Sequence, residues 1–485
     1  MKAIRKCTIG LYSAILCACS VAPPYVKPEI PVPAAYKGAM NATDKWQVAE
    51  PADDRNRGQW WLRYQDPTLN RLITRLDVAN ADLAIAVANF DQANAYARQA
   101  QAGLYPTISA QSYVTRNRQS DTRALRSSTQ PDVYGDNALG LGASYELDLW
   151  GRVRSFALAG TAGAQAAAAD LESVKLSLQA ELANDYFALR FTDAQQQLLA
   201  NEVESYSAAV TLTRNRFLGA IDSELNLSRA KAQLDTAKAR LSESSAARAL
   251  YEHAIATLVG ETASTFSLDA AVITMTPPEV PLGIPSALLQ RRPDISAAER
   301  RMAQANAQIG VAKAAFYPTF NLAAAGGFES TYQPGLLTAP NIFWSIGPSA
   351  LLTIFDAGRR KAVVAQAQAA FEAAGGEYRG TVLHAFQEVE DNLSLSKQLE
   401  GESTSLKEAV IDTGHALDLS MNLYREGTIS YLEVVIAQTA AQQAQLDEID
   451  VRRKRMQISV SLIRALGGGW SGLTDAKQNT VSNLK

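Results

Sequence analysis

The chain has 485 residues, with 46 Lys and Arg against 49 Asp and Glu, a net charge of −3 and no basic block able to follow a phosphate backbone. Nucleic acid is therefore excluded as a partner. Beyond the first twenty residues there is no run of about 18 apolar residues, so no transmembrane helix is available and any membrane crossing must be made by strands.

At the start, Lys2, Arg5 and Lys6 precede the apolar run "TIGLYSAILCA", the pattern of a secretory signal peptide over residues 1–18. The three cysteines, Cys7, Cys17 and Cys19, all lie in the first nineteen residues. Leu16-Cys17-Ala18-Cys19 resembles the lipobox of bacterial lipoproteins, in which the chain is cut before the cysteine and that cysteine is acylated. Cys19 is then the lipid attachment point, which explains a thiol that would be a liability in an oxidising compartment. Ser20 in second position fits sorting to the outer membrane. Residues 19–58 form an acylated tether, with the Pro-rich stretch from Pro23 to Pro33 expected to be extended.

The rest of the chain says the same thing twice. "LYPTISA" at 104–110 returns as "FYPTFNL" at 316–322, "DLWGR" at 148–152 as "FDAGR" at 355–359, and "RFLGAIDSELN" at 216–226 as "LYREGTISYLE" at 423–433. The offsets are 212, 207 and 207, the mark of an internal duplication. The first repeat is expected over 59–260, a linker over 261–286, the second repeat over 287–466 and a tail over 467–485. Each repeat reads as a helix, a strand pair, a long helix, a tight turn and a returning helix.

The strand pairs are placed at 107–118 with 138–150, and at 319–330 with 342–355. In "ALGLGASYELDLW", Leu139, Leu141, Ala143, Tyr145, Leu147 and Leu149 share one face, while Gly140, Gly142, Ser144, Glu146 and Asp148 share the other. Pro348 predicts a bulge or bend in the last strand. Four strands of membrane length cannot close a barrel, because bacterial barrels begin at about eight, and open edges cannot be left in lipid. The chain must oligomerise. From Arg152 to Arg216 no proline interrupts the sequence, and Leu171, Val174, Leu178, Leu182, Tyr186 and Leu189 follow steps of three and four. Such a helix would be roughly 95 Å long at about 1.5 Å per residue. Its counterpart runs from Gly358 to Tyr424, with a kink expected at Gly375-Gly376, and returning helices follow at 223–258 and 430–466.

"LLQRRPDISAAERRMAQANAQIGVAKAAFYPTFNL" at 288–322, "WSIGPSALLTIFDAGRRKA" at 344–362, "WWLRYQDPTLNRLITRLDVANADL" at 60–83 and the "CSVAPPYVKP" start resemble the outer-membrane factor family typified by TolC, in its lipid-anchored branch. The resemblance implies a mixed fold, mostly α: a homotrimer whose twelve-stranded outer-membrane β-barrel, four strands per chain, continues into a periplasmic twelve-helix α-barrel. It implies a passive exit duct of a tripartite efflux pump, with a periplasmic adaptor, an inner-membrane transporter of the resistance-nodulation-division type and outer-membrane lipid as partners. Duct work in type I protein secretion is an alternative within the family, and a periplasmic coiled-coil scaffold lipoprotein is one outside it.

In this family the periplasmic helix tips close the pore. Tyr424 and Gly427 match the family's pattern in the second turn, Glu433 stands at its acidic position, and Ile436 replaces a further acid. In the first turn Phe217 stands for Tyr, Ala220 for Gly, and Asn226 stands opposite Glu433. The latch of some members pairs an Arg with an acid where this chain has Ile429 and Asn226, so that latch cannot form. Three copies of Glu433 are expected to make a carboxylate ring backed by Ile436, a cation-favouring constriction able to gate by dewetting; dipole compensation at a helix start is the plainer reading of Glu433. His253, His384 and His415 are isolated from other ligands, "GGGW" at 467–470 reads as helix termination, and no nucleophile, acid-base pair or cofactor fingerprint is present. No enzymatic activity, metal or cofactor is expected.

Overall fold

The structure is a computed structural model describing residues 20–28, 30, 31, 33, 36, 37, 58–124, 127, 129, 131–273, 275–278, 291–332 and 334–468. The signal-peptide and Cys19 readings, and most of the tail, lie outside the described residues. The chain divides into two compact units: one of residues 1–29, 89–168 and 297–379, the other of 30–88, 169–296 and 380–485.

The duplication is visible in the elements. Helix α1 is Pro67–Ala79, α2 Ala81–Ala102, α3 Arg152–Leu218 and α4 Glu224–Leu258; in the second repeat α5 is Pro293–Ala314, α6 Arg359–Arg425 and α7 Tyr431–Ala465. Helices α3 and α6 both have 67 residues, α4 and α7 both 35, and α2 and α5 both 22. Helix α6 runs without interruption through Gly375 and Gly376. No described helix is long and apolar enough to cross a membrane.

The first unit holds one antiparallel four-stranded sheet in the order β1-β2-β3-β4, with β1 Thr107–Arg118, β2 Val133–Leu147, β3 Thr319–Ser330 and β4 Ile342–Leu351. Two strands differ from the sequence expectation. Strand β2 starts earlier than residue 138 because the polar end of β1 finds partners there, Arg118 opposite Val133 and Asn117 opposite Tyr134. It stops at Leu147, before residue 150, because Asp148 turns to cap α3, accepting from the Val153 and Arg154 backbone N–H groups at 3.0 and 2.8 Å. Strand β4 likewise ends at Leu351 rather than at 355, and Asp356 accepts from the Arg360 N–H at 3.2 Å at the start of α6. Pro348 makes no bulge: it pairs with Leu322 in an unbroken register. It lies in a terminal strand, where alternate N–H groups point away from the sheet and a missing donor is tolerated.

Register fixes the faces. Across the sheet, Ile108, Ala143, Ala324 and Ile346 form one row, and Ala110, Leu141, Gly326 and Trp344 the next. This face is apolar and open: Ile108 is 75% exposed, Leu141 61%, Trp344 76% and Ile346 65%. Rows on the opposite face hold Ser109, Gly142, Ala325 and Ser345. The described part of the N-terminal segment lies extended against this unit. Val21 donates to the Trp150 carbonyl, Asn306 donates to the Pro23 carbonyl at 3.0 Å, and the Tyr25 hydroxyl donates to the Glu299 carboxylate at 2.7 Å.

The second unit carries the main apolar core. Leu69, Leu72, Ile73 and Leu76 of α1 are buried against Leu182, Tyr186, Phe187 and Leu189 of α3, with Ile255 of α4 and Met456 and Val460 of α7. Asp66 starts α1 by accepting from the Thr68 and Leu69 N–H groups at 2.7 and 3.0 Å, and receives the Tyr186 hydroxyl at 2.6 Å. One carboxylate thus caps α1 and ties it to α3. The linker is gripped by three arginines: Arg190 donates to the Asp269 carbonyl, Arg248 to that of Leu268 and Arg452 to that of Ile273. Asp193 neutralises Arg190 and Arg248 at 3.0 and 2.7 Å. Asp66→Ala removes a cap and leaves the buried Tyr186 hydroxyl without its acceptor. We expect a loss of about 1–3 kcal/mol, read as a lower temperature for heat dissociation of the detergent-purified oligomer on a gel.

Candidate gate at the helix tips

Both tips are built by the same backbone device. Helix α3 ends with Ala220 at φ 56° and α6 with Gly427 at φ 80°, each in the left-handed region. The Ala220 and Ile221 N–H groups return to the carbonyls of Phe217 and Arg216, and those of Gly427 and Thr428 to Tyr424 and Leu423. These are two Schellman turns at matching positions of the repeat. Glycine adopts this conformation freely, whereas Ala220 holds it at a cost of about 1 kcal/mol, so surrounding contacts must fix the first turn.

Those contacts form a clamp joining the two turns within one chain. The Tyr424 hydroxyl donates to Asp222 Oδ2 at 2.7 Å, and Asn226 Nδ2 donates to Asp222 Oδ1 at 2.6 Å. Arg216 Nη1 donates to the Tyr424 carbonyl at 3.3 Å, its Nε lies 3.8 Å from Asp222 Oδ2, and its guanidinium sits 4.8 Å from the centre of the Tyr424 ring. The Tyr424 and Tyr431 rings meet at 5.3 Å, and both are buried with Ala209, Ala230 and Val434. Further along, Gln233 donates to Thr439 at 3.0 Å and Arg240 to Gln442 at 2.7 Å, holding α4 against α7.

Partial burial alone raises the Asp222 carboxyl. Donation by Tyr424, Asn226 and the Ser223 N–H, with the Arg216 charge, outweighs this and holds Asp222 below the usual carboxylate range. Burial pushes the Tyr424 hydroxyl up, and its hydrogen bond to Asp222 adds to the shift. The clamp therefore pairs an anion with a neutral phenol and a cation at neutral pH.

The sequence-derived gate residues divide by environment. Tyr424 is buried in the clamp, Asn226 braces Asp222, and Gly427 supplies the turn. Glu433 and Ile436 instead lie on the open surface of α7, with Ile436 56% exposed. Ile429 packs against the tyrosine cluster. Sequence comparison of the two turns passed over Arg216 and Asp222. The available signal was a cation before a tight turn and an anion after it, six positions apart. Among the described residues no group of His, Cys, Asp and Glu is arranged to hold a metal ion.

A sheet with an exposed apolar face, in a chain that also carries two helices of 67 residues, has the make-up of an outer-membrane channel protein. The outer membrane efflux protein family matches residues 72–261 and 284–468, one segment for each repeat. The chain is 31% identical over 469 residues to the probable efflux pump outer membrane protein TtgC of Pseudomonas putida, covering 96% of this chain and 95% of that one. It is 28% identical to the cation efflux system protein CusC of Escherichia coli O6:H1, covering 94% and 96%. The solved outer-membrane channel OprN superposes with a TM-score of 0.84 at 28% identity, over 94% of this chain and all of that one. The chain belongs to the outer membrane efflux protein family, whose members are efflux channels rather than enzymes, and it is an outer-membrane protein. Its fold is that of the trimeric channels of this family.

Acid opens the clamp by a fixed sign. Released from Tyr424, Asp222 keeps its contacts within its own hairpin and titrates no higher than an ordinary carboxyl at about 4; clamped, it is lower, so the clamp's contribution is complete above about pH 4 and is lost as pH falls through the clamped value. Channel conductance is expected to be flat from pH 7 to pH 5 and to rise only below about pH 4, recorded in planar bilayers.

Proposed function

We propose that this protein is the exit duct of a tripartite efflux pump, opened at the periplasmic helix tips when the Arg216, Asp222 and Tyr424 clamp is released. A periplasmic adaptor and an inner-membrane transporter of the resistance-nodulation-division type supply substrate and energy, and acylated Cys19 anchors the chain. The observation that carries the duct is the sheet. Its apolar face is open, and β1 and β4 each lack a second neighbour among the described residues, so three copies close it as a twelve-stranded barrel in lipid.

The gate has two parts. The clamp holds the two hairpins of each chain together, and the exposed Glu433 and Ile436 of three chains face the constriction. A ring of carboxylates favours cations, and the isoleucines behind it make a short apolar throat. TtgC is named for efflux and CusC for cation efflux, and the 6 Met and 3 His of this chain lend no particular support to a soft metal ion as the substrate.

Two measurements test this reading. Asp222→Asn weakens the Arg216 contact and the acceptor for Tyr424, and single-channel conductance should rise several-fold while the trimer mass in native mass spectrometry is unchanged. An unaltered conductance would remove the clamp from the gate. Separately, Glu433→Gln should lower the preference for K⁺ over Cl⁻ in reversal-potential measurements, with trimer stability the same; retained selectivity would leave Glu433 as a helix-start charge only.

A further inference from the structure

The face of the sheet opposite the lipid stripe is polar or small-chained almost throughout: Ser109, Gln111, Gly142, Ala325, Ser345 and Gly347 are typical. Three rings interrupt that rule, Tyr113, Tyr134 and Phe343, and of these only the Phe343 ring lacks a polar group. Phe343 is the second residue of β4, close to the loop joining β3 to β4, and its neighbours Ile342 and Trp344 point to the other face, 56% and 76% exposed. The Phe343 backbone pairs with Gly327, and Gly327 pairs with Gly140 on the next strand. A Cβ added to Gly140 would lie 3.4 Å from Phe343 Cζ, and one added to Gly327 would fall onto the Leu139 carbonyl. The ring therefore leans along the wall, over a floor of two glycines, and remains half-buried.

Covering a glycine with a cross-strand ring stabilises a sheet, and an aliphatic side chain on the same floor would also exclude water. An aromatic ring beside the duct offers something more, π contact with a passing solute that an aliphatic side chain cannot make. We propose that Phe343 is a specificity-determining residue of the duct: with its two symmetry copies it lines the loop-side part of the barrel with aromatic rings that retain passing aromatic solutes. The inference rests on the barrel reading above, since only closure of the sheet turns this face into a lumen. Aromatic pairing beyond simple burial corresponds to roughly a two- to tenfold change in residence, and a cationic solute gains further from the ring quadrupole.

The test uses single-channel currents of the full-length trimer in planar bilayers, with tetraphenylphosphonium added on the loop side and tetrapropylammonium as an aliphatic cation for comparison. Wild type should show longer current blockades with the aromatic cation. Phe343→Leu, which keeps an apolar cover on the glycines, should shorten them two- to tenfold while leaving blockades by the aliphatic cation unchanged. Phe343→Tyr, which keeps the ring, should retain them. Equal blockades in wild type and Phe343→Leu overturn the proposal and leave the ring as a cover for Gly140. If the wild-type protein forms no trimer and no channel, the barrel reading fails and this inference falls with it. Intact channels without aromatic preference reject the inference alone.

Discussion

A backbone N–H or C=O left unpaired in hydrocarbon costs several kcal/mol, and this penalty governs the molecule. The chain offers four strands with a continuous apolar face, yet β1 and β4 each have one neighbour only among the described residues. No arrangement of a single copy satisfies both edges in lipid. Oligomerisation is thus a condition for membrane residence, and the rest of the architecture must be compatible with threefold closure. Helices α3 and α6, too long to be covered by their own repeat, follow the same logic. Their exposed apolar residues, such as Ile411, Leu419 and Leu423 of α6, need neighbouring chains.

Duplication makes that closure regular. The spacing between repeats is constant from the start of α3 to the end of α7: Gly151, Ala220 and Gly260 correspond to Gly358, Gly427 and Gly467, all six at positive φ. The change of offset falls in the loops joining β1 to β2 and β3 to β4, where length is free. Where the chain must turn sharply, length is fixed. Gly260 shows why: a Cβ there would fall onto the Ala79 carbonyl, so the end of α4 and the end of α1 approach at backbone distance.

This explains what could be read from the sequence. Period-two alternation named the lipid face of β2 residue by residue, and the repeat of "RFLGAIDSELN" located both tips, because each signal is local. The strand ends could not be read so well, since Asp148 and Asp356 leave the strand side to cap helices, a choice decided by the following N–H groups. Pro348 misled in the same way: its effect depends on whether its strand is terminal. The tip clamp was hidden because Arg216 and Asp222 belong to the first repeat and Tyr424 to the second, and they meet only in the folded chain. In "NIFWSIG" the same alternation sets Phe343 apart from Ile342 and Trp344, but only the register shows that it lies opposite Gly327.

In the proposed gate, the clamp also sets what opening must cost. Hydrogen bonds to charged groups contribute about 1.5–3 kcal/mol each, and Asp222 accepts from Tyr424 and Asn226 with Arg216 close by. Only the contacts that join the two hairpins, Tyr424 to Asp222 and Arg216 to the Tyr424 carbonyl, need break when the tips part; Asn226 and Ser223 lie on the same side as Asp222 and can stay with it. The freed Asp222 thus keeps part of its shell, and Arg216 can keep its ion pair. Opening is then a few kcal/mol per chain rather than the full sum of the contacts. On that proposal, a partner holds the duct open only by binding the parted tips more tightly than the closed ones by at least that amount, a margin small enough for reversible docking.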